Sequence, residues 1–128
     1  MIDNKPFSVC VLIKNPEGKI LSVSRKTNHN DFGLPGGKIE ENETAEEAII
    51  REVKEETGYD LTDLIFKETA GCKHNNDIKQ CSIFTGMVIG KIDTKEPHIV
   101  DWVDPSIILK GTFGDFNKHV FDLFNVKY

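Results

Sequence analysis

The stretch TAEEAIIREVKEETG, residues 44–58, constrains the fold of this 128-residue chain more than any other. Ala45, Ile49 and Val53 recur at helical spacing and form one apolar stripe, while Glu46, Glu47 and Lys54 point away from its centre. Thr44 has Glu47 three residues on, which is the pattern of a capping box, and Gly58 ends the run where a left-handed residue is needed. The spacing therefore predicts a helix from Thr44 to Thr57 that packs one face on a sheet.

The charge on this helix needs an explanation. Residues 40–56 hold eight of the eleven glutamates against only Arg51 and Lys54, a balance of −6 within a whole-chain charge of −5. The remaining 14 basic and 13 acidic residues come to +1, so the acidity is local. Like charges this dense repel unless a partner offsets them. A solvated acidic face accounts for Glu46 and Glu47. Glu52 and Glu56 fall on the near side of the apolar stripe, with Glu55 at its margin. Spaced at i, i+3 and i+4, the three lie about 5–6 Å apart at Cβ. Three carboxylates gathered there suit a hard divalent cation such as Mg²⁺, which takes a few carboxylates and shares substrate phosphates. Arg51 stands beside them, able to hold Glu43 or a neighbouring carboxylate through its planar fork of donors. Just upstream, Gly36 and Gly37 let backbone approach a ligand with no Cβ in the way. A local anionic surface of this kind argues against a stable nucleic-acid partner.

The rest of the chain reads as one domain, residues 1–128, with 38% hydrophobic and 29% charged residues. FSVCVLIKN and ILSVSRK, joined through PEGK, read as a β-hairpin. TNHNDFGLPGG reads as a polar loop ending in glycines. LIFKETAG and KQCSIFTGMVIGKI read as two strands joined across CKHNND, IVDWVD as a further short strand, and PSIIL as one helical turn with Pro105 at its start. In FGDFNKHVFDLF, the residues Phe113, Phe116, Val120 and Phe124 keep helical spacing and predict a final helix packed on the sheet. The order ββ–α–βββ–α implies a mixed sheet with helices on its faces.

Cys10, Cys72 and Cys81 are odd in number and include no CxxC, which fits free thiols in a reducing cytosol. Cys72, His74 and Cys81 have residue types that suit zinc but lack the paired spacing of a structural site. His29, His98 and His119 read as loop or surface histidines. The N-terminus shows no signal-peptide pattern, and no apolar run is long enough to span a bilayer. A cytoplasmic protein without a membrane partner is expected.

Gly37, five residues, Glu43, seven residues, then Arg51-Glu52-Val53-Lys54-Glu55-Glu56-Thr57-Gly58-Tyr59 closely resembles the signature of the Nudix hydrolases over 23 residues. Only Tyr59 departs, standing where that family prefers an aliphatic residue at a packing position. The resemblance implies an α/β class fold, the Nudix-type α/β/α sandwich with a mixed β-sheet. It also implies hydrolysis of a phosphoanhydride in a nucleoside diphosphate derivative. Carried over by position, Glu52, Glu55 and Glu56 look like Mg²⁺ ligands (Mn²⁺ as a substitute), with the Gly37 carbonyl as a further oxygen. Glu43 and Arg51 look like the supporting pair. Glu52 is the first choice as general base and Glu55 the second. Because some relatives use a carboxylate outside the box, Asp101 and Glu96 are further candidates.

The box does not choose a substrate. Arg25 and Lys26, at the end of the second strand, are candidates to meet phosphate or a base edge; the alternative is two solvated bases. Asn117 resembles the Asn that reads the purine edge in relatives acting on oxidised purine nucleoside triphosphates; the alternative is an ordinary helix cap. Relatives that prefer ADP-ribose commonly carry a proline shortly after the box, and here the first is Pro97. The expected substrate is thus a small nucleotide, a nucleoside triphosphate with oxidised purines in its range, cut to the monophosphate and pyrophosphate by a monomer or homodimer. A dinucleoside polyphosphate, ADP-ribose or a nucleotide sugar is the alternative. A sensor that binds without cutting is a third reading, against which stand all the box carboxylates.

Overall fold

A computed structural model describes residues 6–94, 96–97 and 99–128, so His98 and the first five residues lie outside the described part. The elements are β1 (Ser8–Leu12), β2 (Ile20–Ser24), β3 (Phe32–Gly33), β4 (Gly36–Lys38), α1 (Ala45–Thr57), β5 (Tyr59–His74), β6 (Asp77–Lys91), β7 (Val100–Val103), α2 (Pro105–Leu109) and α3 (Gly114–Leu123). They form a four-stranded mixed sheet in the order β4-β1-β6-β5 and a three-stranded antiparallel sheet in the order β3-β2-β7.

Both sheets contribute to two cores. On one side Val9, Val11, Leu21 and Phe84 pack with Ala48, Ile49 and Val53 of α1. On the other, Cys10, Leu12, Ile20 and Ile83 pack with Ile108 of α2 and Val120 and Phe121 of α3. The period-2 alternation along β1 sends odd residues to α1 and even residues to α3. The result is the α/β/α sandwich with a mixed sheet. Tyr59, the departure from the signature, packs edge-on to Trp102 at 6.3 Å beside the α1 core.

The expected hairpin of the first two strands is corrected. Their pairing is confined to the ends next to the turn, with the Asn15 N–H to Lys19 carbonyl and Leu21 N–H to Ile13 carbonyl bonds and the Lys14–Ile20 bridge, after which they enter different sheets. Every residue of both strands is buried. A strand covered on both faces gains most as the centre of its own sheet, so each takes neighbours elsewhere along the chain. The expected loop at 27–37 likewise contains β3 and part of β4, too short to leave a periodic signal. The β5–β6 pair runs longer than expected and turns through Asn75 and Asn76, with Asn75 left-handed at φ 56°.

Helix α1 forms as its sequence dictates. The Thr44 hydroxyl accepts from the Glu47 N–H at 3.1 Å, and Glu47 Oε1 accepts from the Thr44 N–H at 2.9 Å. Such a cap is worth about 1 kcal/mol. Gly58, at φ 79°, closes the end, where any Cβ would also strike the Ile92 carbonyl. The buried face is Ala48, Ile49, Val53 and Thr57, one step round from the expected stripe, with Ala45 only half-buried. In α3 the buried face is Asn117, Val120 and Phe121, rather than one centred on Phe113, Phe116 and Phe124. Phe113 stands before the first turn and is exposed.

Candidate active site

Strand β4 lays Gly36 and Gly37 antiparallel to β1, opposite Cys10 and Val9. Each glycine answers to a different neighbour. A Cβ on Gly36 would lie 2.1 Å from the Val9 carbonyl oxygen, so that residue is required by strand packing. A Cβ on Gly37 would lie 2.7 Å from the Glu52 carboxyl, so that residue makes room for a site carboxylate.

Arg51 organises the acids. Its Nε donates to Glu43 Oε2 at 2.7 Å and its Nη2 to Glu43 Oε1 at 3.0 Å, a two-point fork. Nη1 reaches Glu52 Oε1 at 2.8 Å and Glu55 Oε2 at 3.3 Å, and Nη2 also reaches the Lys38 carbonyl at 3.2 Å. The bond to Glu43 pushes Arg51 well above its ordinary value, ahead of the opposing effect of burial. Glu56 turns the other way and accepts the Gly36 N–H at 2.9 Å. Burial pushes its carboxyl up to about 8, against the lowering effect of the Gly36 bond and with help from the charges of Glu52, Glu96 and Glu55. Glu52 is also pushed up, mainly by burial, with Arg51 opposing.

The donor set fits a hard divalent cation in its chemistry. Three carboxylates project from adjacent turns of one helix, and a half-buried Glu56 that holds its proton near neutrality is a group whose ionised form needs a counter-charge. Among the described residues no three acidic, His or Cys side chains converge on one point as they stand; Arg51 Nη1 holds Glu52 and Glu55 instead.

Arg25, Lys26 and Asn117 line clefts that share Phe113, whereas Glu96 and Asp101 lie away from it. Arg25 and Lys26 share a cleft of about 390 Å³ with Glu56, Phe32 and Thr112. Lys26 is paired with Glu96 at 3.1 Å, so two residues assigned separate roles are partners. Glu96 lines a space with Glu55 and raises the proton affinity of Glu56, which brings it to the box. Asp101 is left out of these two clefts: it is exposed on β7, and its Oδ1 accepts the Trp102 N–H at 2.8 Å.

Asn117 lies behind Gly36 and Gly37 in a largely apolar pocket of about 180 Å³, with Leu34 and Phe116. The cap reading fails, since Phe113 precedes the helix and Asn117 sits inside its first turn, its N–H on the Phe113 carbonyl at 2.9 Å. Asn117 is only 3% exposed as a residue; among the described residues no side-chain hydrogen bond holds its carboxamide, and no fully buried side-chain nitrogen or oxygen lacks a partner, so its polar atoms open onto the pocket. A third space, a groove of about 810 Å³, runs past Arg25, Lys73, His74, Phe113 and His119.

Sequence reasoning missed Asp31. Its carboxylate accepts the Thr112 N–H at 2.9 Å, bonds the Thr112 hydroxyl and lies 4.0 Å from Arg25 Nε, tying the approach to α3 to the end of β2. It also missed the gathering of the cysteines around the Asn117 pocket, where the His74 ring meets Phe7 edge-on and Phe113 at a tilt. Neither leaves a local signal. His29 and His119 are exposed, facing the Pro97 carbonyl at 2.9 Å and Glu68 at 3.0 Å.

A helix of carboxylates clamped by one arginine over a glycine pair, in an α/β/α sandwich, defines a class of phosphate-handling domain. The NUDIX domain model matches residues 4–124, and the chain belongs to the Nudix hydrolase family. The chain is 51% identical over 73 residues to the 8-oxo-dGTP diphosphatase of Proteus vulgaris, covering 54% of this chain and 65% of that protein. It is 54% identical over 44 residues to the ADP-ribose pyrophosphatase of Methanocaldococcus jannaschii, covering 33% and 26%. These matches span less than two thirds of the relatives' lengths. The solved structure of the MutT protein from Methanosarcina mazei Go1 superposes with a TM-score of 0.67 at 28% identity, covering 98% of this chain and all of that one. Members of the family act on small nucleotide substrates and generally use a divalent metal.

Proposed function

We propose that this chain hydrolyses a nucleoside triphosphate, with oxidised purines in its range, to the monophosphate and pyrophosphate. The observation that carries this reading is Asn117, only 3% exposed as a residue, whose carboxamide lines an apolar pocket beside Gly36 and Gly37 and has no side-chain hydrogen bond among the described residues. An amide there gives one hydrogen bond and accepts another, which a purine edge satisfies, while Leu34 and Phe116 cover the ring. The phosphates run toward Glu56 past Arg25 and Lys26, whose charges draw the substrate into the cleft.

Glu52, Glu55, Glu56 and the Gly37 carbonyl would hold Mg²⁺, with Mn²⁺ as a substitute; bound there, the ion neutralises phosphate charge and eases loss of a proton from water. Arg51 fixes the Glu52 carboxylate and, through Glu43, its own position. Glu52 takes the proton of the attacking water, with Glu55 as the second choice. Glu96, freed from Lys26 when phosphate engages that lysine, is a further acceptor near the helix.

A second reading, a dinucleoside polyphosphate, ADP-ribose or nucleotide sugar, is favoured by the groove of about 810 Å³, which gives a second moiety room beyond Phe113. In either case we place the protein in the cytoplasm as a monomer or homodimer, without a stable nucleic-acid partner. Among the described residues, no helix is long and apolar enough to cross a membrane.

A substrate panel run with and without Mg²⁺ tests the proposal. Release of pyrophosphate from nucleoside triphosphates, with the highest kcat/KM for an oxidised purine, supports it. A preference for ADP-ribose or dinucleotides favours the second reading, and binding without turnover by the metal-loaded protein overturns both.

A further inference from the structure

Helix α3 begins without a cap of its own. Phe113 stands at its N-cap and has no polar side chain to offer the first amides. The connection that leads into it, Gly111-Thr112-Phe113-Gly114, has a glycine at each end. A turn closes it, the Gly114 N–H on the Gly111 carbonyl at 3.0 Å. That bond sets the shape of the connection and not its place against the sheets.

Asp31 supplies the place. Its side chain is 15% exposed, and it accepts the Thr112 N–H through Oδ1 at 2.9 Å and the Thr112 hydroxyl through Oδ2. A Cβ on Gly111 would lie 2.5 Å from the Phe32 carbonyl oxygen and 2.7 Å from Asp31 Oδ1, so the connection is pressed close on these two residues. Asp31 is held in turn by its own loop. Its carbonyl accepts the Arg25 N–H at 2.9 Å, and its N–H reaches the Asn28 carbonyl at 3.1 Å.

The residue after Thr112 is Phe113, which lines the Asn117 pocket, the cleft with Glu56 and the large groove alike. Asn117 follows one turn later, its N–H on the Phe113 carbonyl. A shift of the connection therefore moves the partition between three spaces and the carboxamide together. A charge role toward Arg25 is the rival account of Asp31. Arg25 Nε lies 4.0 Å from Asp31 Oδ2 on a half-exposed side chain, a weak attraction beside two hydrogen bonds to Thr112.

We infer that Asp31 is a positioning residue for substrate selectivity. By holding Thr112 at two points it keeps Phe113 as the partition between the pocket and the groove, which weights the site toward a single nucleoside and against a nucleotide with a second bulky group. This rests on the reading of the Asn117 pocket as the base site. Asp31 acts through Thr112 and Phe113 and touches no reacting atom.

The test compares GTP with diguanosine tetraphosphate, the same base without and with a second nucleoside. Asp31→Ala is expected to raise KM for GTP about tenfold, what one hydrogen bond to a charged acceptor contributes, while kcat stays within about threefold. The kcat/KM ratio of GTP to diguanosine tetraphosphate should fall by a similar factor. Asp31→Asn presents an amide oxygen to the Thr112 N–H and an amide N–H to the Thr112 hydroxyl, so its ratio should stay within about twofold of the parent. Thr112→Val loses one of the two bonds and should fall between them, and it should add little in an Asp31→Ala background.

A role in folding alone predicts a lower melting temperature with an unmoved ratio, and a charge role toward Arg25 predicts Asp31→Asn as poor as Asp31→Ala. Either result overturns the inference, as does a fall in kcat with KM unmoved. If Asp31→Ala does not fold, an unmoved ratio in Thr112→Val overturns it equally. A parent that prefers diguanosine tetraphosphate overturns the nucleoside triphosphate reading instead, since the change of ratio on substitution is still read. If the parent cleaves neither, the dissociation constants of methylene-bridged analogues of both nucleotides give the same ratio, so the two failures stay apart.

Discussion

Arg51 grips Glu43 at two points, 2.7 Å from Nε and 3.0 Å from Nη2, and spends its remaining nitrogen on Glu52 at 2.8 Å. One guanidinium thus fixes the carboxylate proposed to take the proton and the carboxylate that anchors it. Lysine has the charge but not the fork. Arg51→Lys is expected to lower kcat more than it raises KM, and to destabilise the fold by about 1–3 kcal/mol through the half-buried Glu43 it leaves under-bonded. Steady-state kinetics and denaturant melts check the two effects.

Glu52→Gln keeps the shape and the Arg51 contact but removes the proton acceptor. Turnover should fall by about 10²- to 10⁴-fold with an unchanged circular dichroism spectrum. Turnover equal to the parent would defeat the assignment of Glu52 as base.

The two glycines should separate fold from chemistry. Gly36→Ala drives a methyl into the Val9 carbonyl, a backbone atom that cannot move without breaking the β1–β4 pairing, so loss of stability is expected. Gly37→Ala meets the Glu52 carboxyl, which can swing aside. It should melt close to the parent while losing most of its activity. Thermal melts alongside rates distinguish them, and the reverse pattern would show that Gly37 serves packing.

Glu56 makes the metal-free protein sensitive to alkali. Its carboxyl holds a proton up to about pH 8 in the folded chain but releases it near the ordinary value of 4.5 when unfolded. Between those values the folded state binds the extra proton, so stability is full below the lower value and falls as pH rises through the upper one. Glu52 shifts in the same direction. In EDTA, Tm should therefore decline from mildly acidic pH to above pH 8, and Glu56→Gln should flatten the decline. Added Mg²⁺ should restore Tm most at the alkaline end.

Asn117 tests function against stability. Asn117→Leu exchanges a carboxamide that opens onto an apolar pocket for an alkyl chain of similar size, and the protein should melt at or slightly above the parent's temperature. The same change should cut kcat/KM for the preferred purine nucleotide by about 10- to 100-fold, the worth of two lost hydrogen bonds. Equal kcat/KM in parent and variant would remove Asn117 from base recognition.

Much of the carboxylate helix was legible in the sequence because its causes are local. The Thr44–Glu47 capping box, the Gly58 stop, the close spacing of Glu52, Glu55 and Glu56, and the reach of Arg51 to Glu43 all act within a few turns of one helix, where spacing along the chain is spacing in space. The sequence by itself therefore determined the helix, its clamp and, through them, the family. Only the tertiary structure decided what surrounds them. It parted the first two strands into separate sheets, drew Glu96 to the box while leaving Asp101 outside, and set Asn117 behind a glycine pair some eighty residues earlier. It also gathered Cys10, Cys72 and Cys81 on one wall. Those placements follow from sheet order and register, and register is settled by burial summed over whole strands, a quantity that no short stretch of residues contains.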